Sequence, residues 1–181
     1  MTHTSLVFSK AQSGKGLSHY ETRDSNMTHY YRPATFQDCR ELAPSLREQD
    51  AKEVMASDGL TPLRALQHSY NSSAPECFSI IHEDGDIVGM FGLSNSGHFA
   101  SPWLLGSHKL PETKKVMLPV SAKWVEEKND QYPLLLNYVH AENTVSMRWL
   151  KALGFKFIKL DKEYGVGKQP FYQFVRIKEN V

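Results

Sequence analysis

The sequence has few of the features that mark secreted, membrane or metal-binding proteins. Its two cysteines, Cys39 and Cys77, are too few for a disulfide framework and lack the spacing of a metal site. No stretch approaches the roughly 18 apolar residues of a membrane span. Residues 1–26 lack the apolar core of a secretory signal. These absences predict a soluble protein of a reducing compartment, with no membrane span and no bound metal.

The charge is also balanced, with 21 Lys and Arg against 20 Asp and Glu and a net charge of +1. This balance argues against a protein that holds DNA mainly by overall attraction to phosphate, although it allows a local basic patch. The length of 181 residues suits one domain. With 40% apolar and 23% charged residues, the composition is that of an ordinary globular protein.

Residues 1–26 differ from the rest of the sequence. They are rich in Ser, Thr, Gly and Lys and hold few large apolar side chains, so they are predicted to form a flexible arm before a domain at residues 27–181. The triplet Met1-Thr-His recurs as Met27-Thr-His. Either methionine can therefore be the start of translation.

From Tyr30 onward the hydrophobic pattern predicts one α/β domain with a mixed sheet of about seven strands. Pro33 ends a first strand, and Thr35 and Thr61-Pro62 begin helices. Pro44 breaks the first helical pattern, and Asp58-Gly59 ends it. The remaining predicted elements are strands at 77–82, 87–93, 101–106, 134–140, 155–160 and 171–177, a helix at 112–129 that contains Pro119, and a helix from Asn143 to Gly154.

Two of these strands are expected to form a hairpin, since Asp84-Gly85 is a favourable tight turn between 77–82 and 87–93. The strand at 101–106 begins at Ser101-Pro102 and is predicted to start at a sheet edge. Three carboxylates surround the hairpin turn, at positions 83, 84 and 86. They lack the further ligands of a calcium loop, so we expect an exposed tip without a metal ion.

The segment from Asn143 to Phe155 carries the most specific pattern. An Asn begins the helix, Ser146 follows three residues later, and the helix ends in Leu-Gly-Phe. This segment, with the order of elements before it, resembles the last motif of the GNAT acyltransferases. The resemblance implies that strands 101–106 and 134–140 are adjacent, parallel and diverging.

In the GNAT family acyl-CoA lies between those two strands. The resemblance therefore implies that acetyl-CoA would contact the backbone of Leu104, Leu105 and Gly106, together with Asn143 and Ser146. The unpaired backbone of a diverging strand would bind the amides of the pantetheine arm as it would bind an added strand. The alternative is purely structural: Asn143 is a helix N-cap and Gly154 is a helix stop.

The sequence departs from the family at the phosphate end. Family members hold the CoA pyrophosphate with a glycine-rich turn at the start of the central helix. Here residues 106–115 contain one glycine and a proline. Lys109, Lys114 and Lys115 can supply charge in its place, although lysines at an exposed helix start are commonly only solvated. Any affinity for CoA is then expected to be weak and sensitive to salt.

The catalytic groups of the family are also incomplete. Leu150 stands where many members have a tyrosine that protonates the thiolate, and residues 101–106 hold no carboxylate. His140, at the end of its strand, is the best remaining candidate for a general base. A strand-end histidine that bonds to backbone groups is an equally good interpretation.

A closer resemblance covers nearly all of residues 30–178. It is to a phage family of GNAT-like proteins that includes a small internal virion protein of short-tailed phages, many members of which are described as candidate acetyltransferases. The matching segments are Arg32 to Thr35, Leu46 to Asp50 with Glu53, Met90 to Gly92, Pro102 to Gly106, Asn137 to Val139, Asn143 to Phe155, and Tyr164-Gly165 with Pro170 to Phe174.

Two hypotheses follow from these resemblances. In the first, the chain is a phage accessory or internal virion protein, located in the virion or the host cytoplasm, that binds virion or host proteins and no specific nucleic-acid sequence. In the second, it is an active acetyl-CoA-dependent N-acetyltransferase. The missing glycine turn and the missing tyrosine favour the first, because function depends on sites rather than on folds.

Overall fold

The computed structural model describes residues 30–97 and 99–178. The arm predicted at residues 1–26 lies outside these residues. Within the described ranges, no helix is long and apolar enough to cross a membrane.

Helices and strands follow one another in nearly the predicted order. They are β1 (Tyr30–Pro33), α1 (Phe36–Leu42), α2 (Glu48–Asp58), α3 (Pro62–Ser73), β2 (Cys77–Ile81), β3 (Ile87–Asn95), β4 (Ala100–Gly106), α4 (Lys114–Gln131), β5 (Leu134–His140), α5 (Thr144–Ala152), β6 (Lys156–Tyr164) and β7 (Gln169–Ile177). Short 3-10 turns at Ala43–Ser45 and Leu110–Thr113 precede α2 and α4.

The strands form one seven-stranded sheet in the order β1-β2-β3-β4-β5-β7-β6. The predicted hairpin is confirmed, since β2 and β3 pair antiparallel. Among the described residues, β4 and β5 are the only parallel neighbours, and they pair at Ala100 and Leu135 alone. The predicted α/β fold is therefore confirmed, including the diverging central pair.

Local sequence signals explain where the first helices begin and end. Asp38, in the first turn of α1, accepts hydrogen bonds from the N–H and the hydroxyl of Thr35. Gly59 ends α2 in the left-handed conformation, with φ of +69°. Pro62 occupies the first position of α3, where its missing N–H costs no hydrogen bond.

The prediction that the strand at 101–106 starts at a sheet edge is wrong, because β4 lies in the centre of the sheet. Pro102 is tolerated there for a geometric reason. The N–H of Ser107 donates to Val88 on β3, so the alternating backbone of Pro102 faces away from β3, toward the gap beside β5. No strand of the described chain pairs with β4 at that position, and no ladder bond is lost.

Apolar side chains cover both faces of the sheet. One cluster lies beneath α4 and α5 and includes Phe91, Trp124, Leu135, Val139 and Phe174. The other lies beneath α1, α2 and α3 and includes Leu42, Val54, Leu66, Met90 and Leu105. The sheet is thus covered by helices on each side, and the gap between β4 and β5 opens in its centre.

Candidate functional site

The candidate site is the gap between β4 and β5 beyond their single pairing, which we call the cleft. Successive residues of a strand direct their N–H and C=O groups to opposite neighbours. The backbone groups of Pro102, Leu104 and Gly106 therefore face the cleft, and those of Leu105 face β3. Leu104 lies opposite Phe91 in the β3–β4 register, and on its cleft side it is paired with no strand in the part of the chain that the structure describes.

One polar side chain connects the two strands at the end of the cleft next to the pairing of Ala100 with Leu135. Asn137 on β5 donates from Nδ2 to the C=O of Pro102 at 3.0 Å. Its Oδ1 accepts the N–H of Tyr138 at 2.8 Å. The two strands thus remain connected for a short distance after their ladder ends.

The start of α2 lies at the opposite end of the cleft, beside Gly106. The N–H of Arg47 donates to the C=O of Gly106 at 2.9 Å, and the N–H of Gly106 donates to Asp50 Oδ2 at 2.9 Å. Leu46 forms an antiparallel bridge with Ser107 just beyond. Both backbone groups of Gly106 that face the cleft are therefore used within the chain.

Asp50 is a buried carboxylate, with only 2% of its surface exposed. The guanidinium of Arg47 lies against it, with Nη2 at 2.8 Å from Oδ2. A buried carboxylate needs such partners, because desolvation of an unpaired charge is costly. The pair fixes the first turn of α2 against β4.

Asn143 is buried as well, and all of its side-chain polar atoms have partners. Its Oδ1 accepts the N–H of Ser146 at 3.2 Å, which confirms Asn143 as the N-cap of α5. Its Nδ2 donates to Glu53 Oε2 at 2.9 Å and lies 3.3 Å from Asp50 Oδ1. The amide therefore connects α2 to the start of α5 across the cleft.

Glu53 receives a second hydrogen bond at the same oxygen, from the N–H of His140 at 3.1 Å. Burial raises the pKa of Glu53 from 4.5 to about 7. The hydrogen bonds from Asn143 and His140 offset part of this rise in pKa. Of the nearby charges, that of Asp50 raises the pKa of Glu53 and that of Arg47 lowers it. The carboxyl group is thus poised to exchange a proton near neutral pH.

His140 itself is held by local contacts. Its Nδ1 accepts the N–H of Glu142 at 3.1 Å, and its ring meets Phe171 edge to face with centroids 5.0 Å apart. In this arrangement the neutral ring carries its proton on Nε2, so the lone pair that a base would use is already occupied. Glu53 accepts both of its hydrogen bonds at Oε2, so its Oε1 stays available as an acceptor among the contacts of the described residues.

The lysines expected near a phosphate are placed differently from one another. Lys109 forms ion pairs with Asp84 at 2.8 Å and Asp86 at 2.6 Å, and the hydrogen bonds that it donates to these carboxylates raise its pKa. Lys114 is exposed at the start of α4, and so is Lys115. Asp84 and Asp86, at the tip of the β2–β3 hairpin, are thus paired with a lysine of the chain. The described residues contain no group of three or more candidate metal ligands.

The C-terminal end of α2 is hydrogen-bonded to the turn between β6 and β7. The N–H of Val166 donates to Ser57 at 3.1 Å, and that of Gly167 donates to Ala56 at 2.8 Å. These bonds satisfy carbonyl groups in the last turn of the helix. Both ends of α2 are therefore anchored, and the helix is fixed beside the cleft.

Asp50 and Glu53 were not identified as site residues from the sequence. The available signal was their spacing of three residues in a helical pattern, which places both side chains on one face of α2. What the sequence does not show is that this face lies against Gly106 and Asn143. Of the predicted site residues, the structure brings together Gly106, Asn143, Ser146 and His140, and it leaves Lys109 and Lys114 outside this group.

No family model matches the sequence, and no curated protein matches it. Solved structures do match. A GNAT-superfamily phosphinothricin acetyltransferase from Sinorhizobium meliloti, solved in complex with AcCoA, has a TM-score of 0.64 at 16% identity, over 83% of this chain and 89% of that one.

Two further structures are similar to the chain. Ard1 from Thermoplasma volcanium matches with a TM-score of 0.62 at 13% identity, over 84% of this chain and 99% of that one. A GCN5-related N-acetyltransferase from Kribbella flavida matches with a TM-score of 0.60 at 18% identity, over 83% and 98%. The chain therefore has the fold of the GNAT acetyltransferases.

Proposed function

We propose that the chain is an accessory or internal virion protein of a bacteriophage, which uses the GNAT fold as a scaffold for binding virion or host proteins and keeps only a degenerate acyl-CoA site. The phage assignment depends on the sequence resemblance over residues 30–178. The degenerate site is supported by the contacts of α2. A fold can be kept for binding after its chemistry is lost.

The observation that carries this proposal is the pairing of Gly106 with Arg47 and Asp50. An amide-rich pantetheine arm binds a strand edge through free backbone donors and acceptors. At Gly106 such a ligand has to displace a hydrogen bond to a carboxylate at 2.9 Å. Hydrogen bonds to charged groups are worth about 1.5–3 kcal/mol each, so their loss weakens any cofactor bound there.

The residues at the phosphate end do not suit a CoA pyrophosphate either. Residues 106–115 offer one glycine, and Lys109 is engaged by Asp84 and Asp86. The remaining cations, Lys114 and Lys115, are exposed and therefore screened by salt. An acetyl-CoA, such as that in the Sinorhizobium meliloti structure, would thus have poor support at both ends of this cleft.

Titration with acetyl-CoA by calorimetry tests the proposal. We expect a dissociation constant weaker than about 1 mM, with any residual affinity falling as salt is added. Lys114→Ala combined with Lys115→Ala should remove that residual affinity. A dissociation constant in the low micromolar range that is insensitive to salt would overturn the degenerate site.

The virion role has its own test. Mass spectrometry of purified particles of the phage that encodes this chain should detect it at a fixed number of copies per particle. Its absence from particles, with normal amounts in infected cells, would exclude the internal virion protein and leave only an accessory role in the host.

A second candidate function is N-acetyl transfer to an amine, and Glu53 is the observation that favours it. A general base works best when its pKa is near the operating pH, and Glu53 lies beside the cleft with a pKa of about 7. The test is turnover of acetyl-CoA with a panel of amines. This candidate predicts a loss of about 10²–10⁴-fold in Glu53→Gln and little loss in His140→Ala. The absence of turnover in the wild type would exclude it.

A further inference from the structure

The charge of the chain is unevenly distributed along its length. Residues 148–178, which span most of α5 together with β6 and β7, hold eight Lys and Arg but only two Asp and Glu, a net charge of +6. Residues 30–147 hold ten Lys and Arg against fifteen Asp and Glu, a net charge of −5. A chain that is nearly neutral as a whole therefore has a strongly basic end.

The fold gathers these cations at one edge of the sheet, which we call the basic edge. It consists of exposed lysines and arginines of α5, β6 and the turn to β7: Arg148, Lys151, Lys156, Lys159, Lys162 and Lys168. β6 is the last strand of the sheet and has a neighbour on one side only. Among the residues that the structure describes, none of these six cations forms an ion pair.

We propose that the basic edge binds the sugar–phosphate backbone of a nucleic acid without sequence preference. The Cα atoms of Lys156, Lys159 and Lys162 follow one another along the outer strand at intervals of about 10 Å, and their long side chains leave the strand from both of its faces. The row spans about 20 Å, which is about six phosphates of one duplex strand. Unpaired cations of this kind bind phosphates by releasing condensed counterions.

Two observations favour a nucleic acid over another strand or a protein surface. The pairing of β6 with β7 is irregular near Phe157 and again between Asp161 and Tyr164, so its outer edge is a poor template for an added strand. If two copies of the chain paired through their β6 edges, the lysines of both copies would lie close together and repel each other, which disfavours such a dimer. In addition, protein interfaces are depleted in lysine at their centres, whereas phosphate backbones are contacted by lysine and arginine.

This inference does not depend on acetyl-CoA binding, because the basic edge lies on the outer strand and the cleft lies between β4 and β5. It also agrees with the absence of sequence-specific binding expected from the sequence. Lysine side chains on a strand outside a groove contact phosphates and carry no information about bases.

Fluorescence anisotropy with labelled oligonucleotides of mixed sequence tests the proposal, using duplex DNA, single-stranded DNA and RNA in separate arms. We expect binding with a dissociation constant of about 1–100 μM at physiological salt, equal for unrelated sequences of one type. The logarithm of affinity should fall with the logarithm of salt at a slope of about −3 to −5 for duplex DNA.

Matched charge reversals identify the surface. Lys159→Glu with Lys162→Glu should weaken binding by about tenfold or more and reduce the salt slope by about 2. Arg40→Glu with Arg64→Glu is the control, because it makes the same change in net charge on exposed arginines of α1 and α3, which pack against β3. Its effect should be less than about threefold.

Three results would overturn the proposal. One is equal weakening by the two double variants, which would mean that overall charge alone attracts the probe. Another is no binding to any oligonucleotide at low salt. The third is binding to polyglutamate with none to nucleic acid, which would assign the basic edge to an acidic protein. Circular dichroism of both double variants confirms that they are folded.

Discussion

The side-chain amide of Asn143 lies 2.9 Å from the carboxylate of Glu53, although the two residues are 90 positions apart in the sequence. This hydrogen bond joins α2 to the first turn of α5. The same amide lies 3.3 Å from Asp50, which in turn accepts the N–H of Gly106. Because Glu53 also accepts the N–H of His140 on β5, helix α2 is connected to both strands that border the cleft.

Replacing Asn143 tests its two structural roles separately. Asn143→Ala removes the N-cap and leaves buried carboxylate oxygens without a donor, so we expect a loss of about 2–4 kcal/mol in the free energy of unfolding. Asn143→Ser keeps a capping oxygen and should lose about 1 kcal/mol less. Denaturation in urea measures both. Equal losses would show that the cap contributes nothing.

Glu53 should make stability depend on pH in a defined direction. Its pKa is raised to about 7 in the folded chain from an ordinary 4.5, so the folded state holds the proton more tightly than the unfolded state. Its contribution is fully present below about pH 4.5 and is lost as pH rises toward about 7.

Glu53→Gln removes this dependence. Relative to the wild type, the variant should gain about 1–3 kcal/mol between pH 4.5 and pH 8, measured by denaturation in urea at each pH. The amide oxygen of Gln can still accept from Asn143, which makes the variant a conservative one. A difference between wild type and variant that stays constant with pH would contradict the raised pKa.

The contact between α2 and the turn after β6 depends on Gly165. Its φ is +68°, and a Cβ there would lie 2.5 Å from the carbonyl oxygen of Ala56. Gly165→Ala should therefore cost about 2–4 kcal/mol, through backbone strain and the displacement of α2. Gly85→Ala is the matched control, because its φ is +93° in open space and only strain of about 1 kcal/mol applies. Equal losses in the two variants would show that the turn does not pack on α2.

Deleting residues 1–26 should leave the melting temperature nearly unchanged. The segment has few large apolar side chains to bury, so it contributes little to the core. Differential scanning calorimetry of the full chain and of the chain from Met27 measures this. A fall of several degrees would show that Leu6, Val7 and Phe8 pack against the domain.

The fold could be predicted from the sequence because its signals are local. Gly59 and Gly154 end helices, Asp84-Gly85 turns a hairpin, and the order of strand, helix and strand around α4 requires adjacent parallel strands. The central position of β4 could not be read from Pro102. A central strand can contain Pro102 because the backbone of this residue faces the cleft, and that orientation is a property of the assembled sheet.

The site was harder to predict, because its contacts join distant segments. Asn143 was recognisable as an N-cap from its own helix. Its bonds to Asp50 and Glu53 depend on how α2 lies across β4 and β5, and a single sequence holds no measure of that angle. The engagement of Lys109 by Asp84 and Asp86 is hidden for the same reason, since 23 residues separate the lysine from the nearer carboxylate.

The central claim is that α2 occupies the cleft at Gly106 and keeps acetyl-CoA out, and the backbone amide of Gly106 provides its most direct test. Its nuclear magnetic resonance signal and exchange rate report the bond to Asp50, and Asp50→Ala serves as the control in which that bond is absent. With acetyl-CoA added to about 1 mM, we predict that the Gly106 amide of the wild type keeps its chemical shift and its slow exchange. Large shifts at Gly106 and Leu104 in the wild type, equal to those in Asp50→Ala, would show that the cofactor enters the cleft freely and would contradict the account.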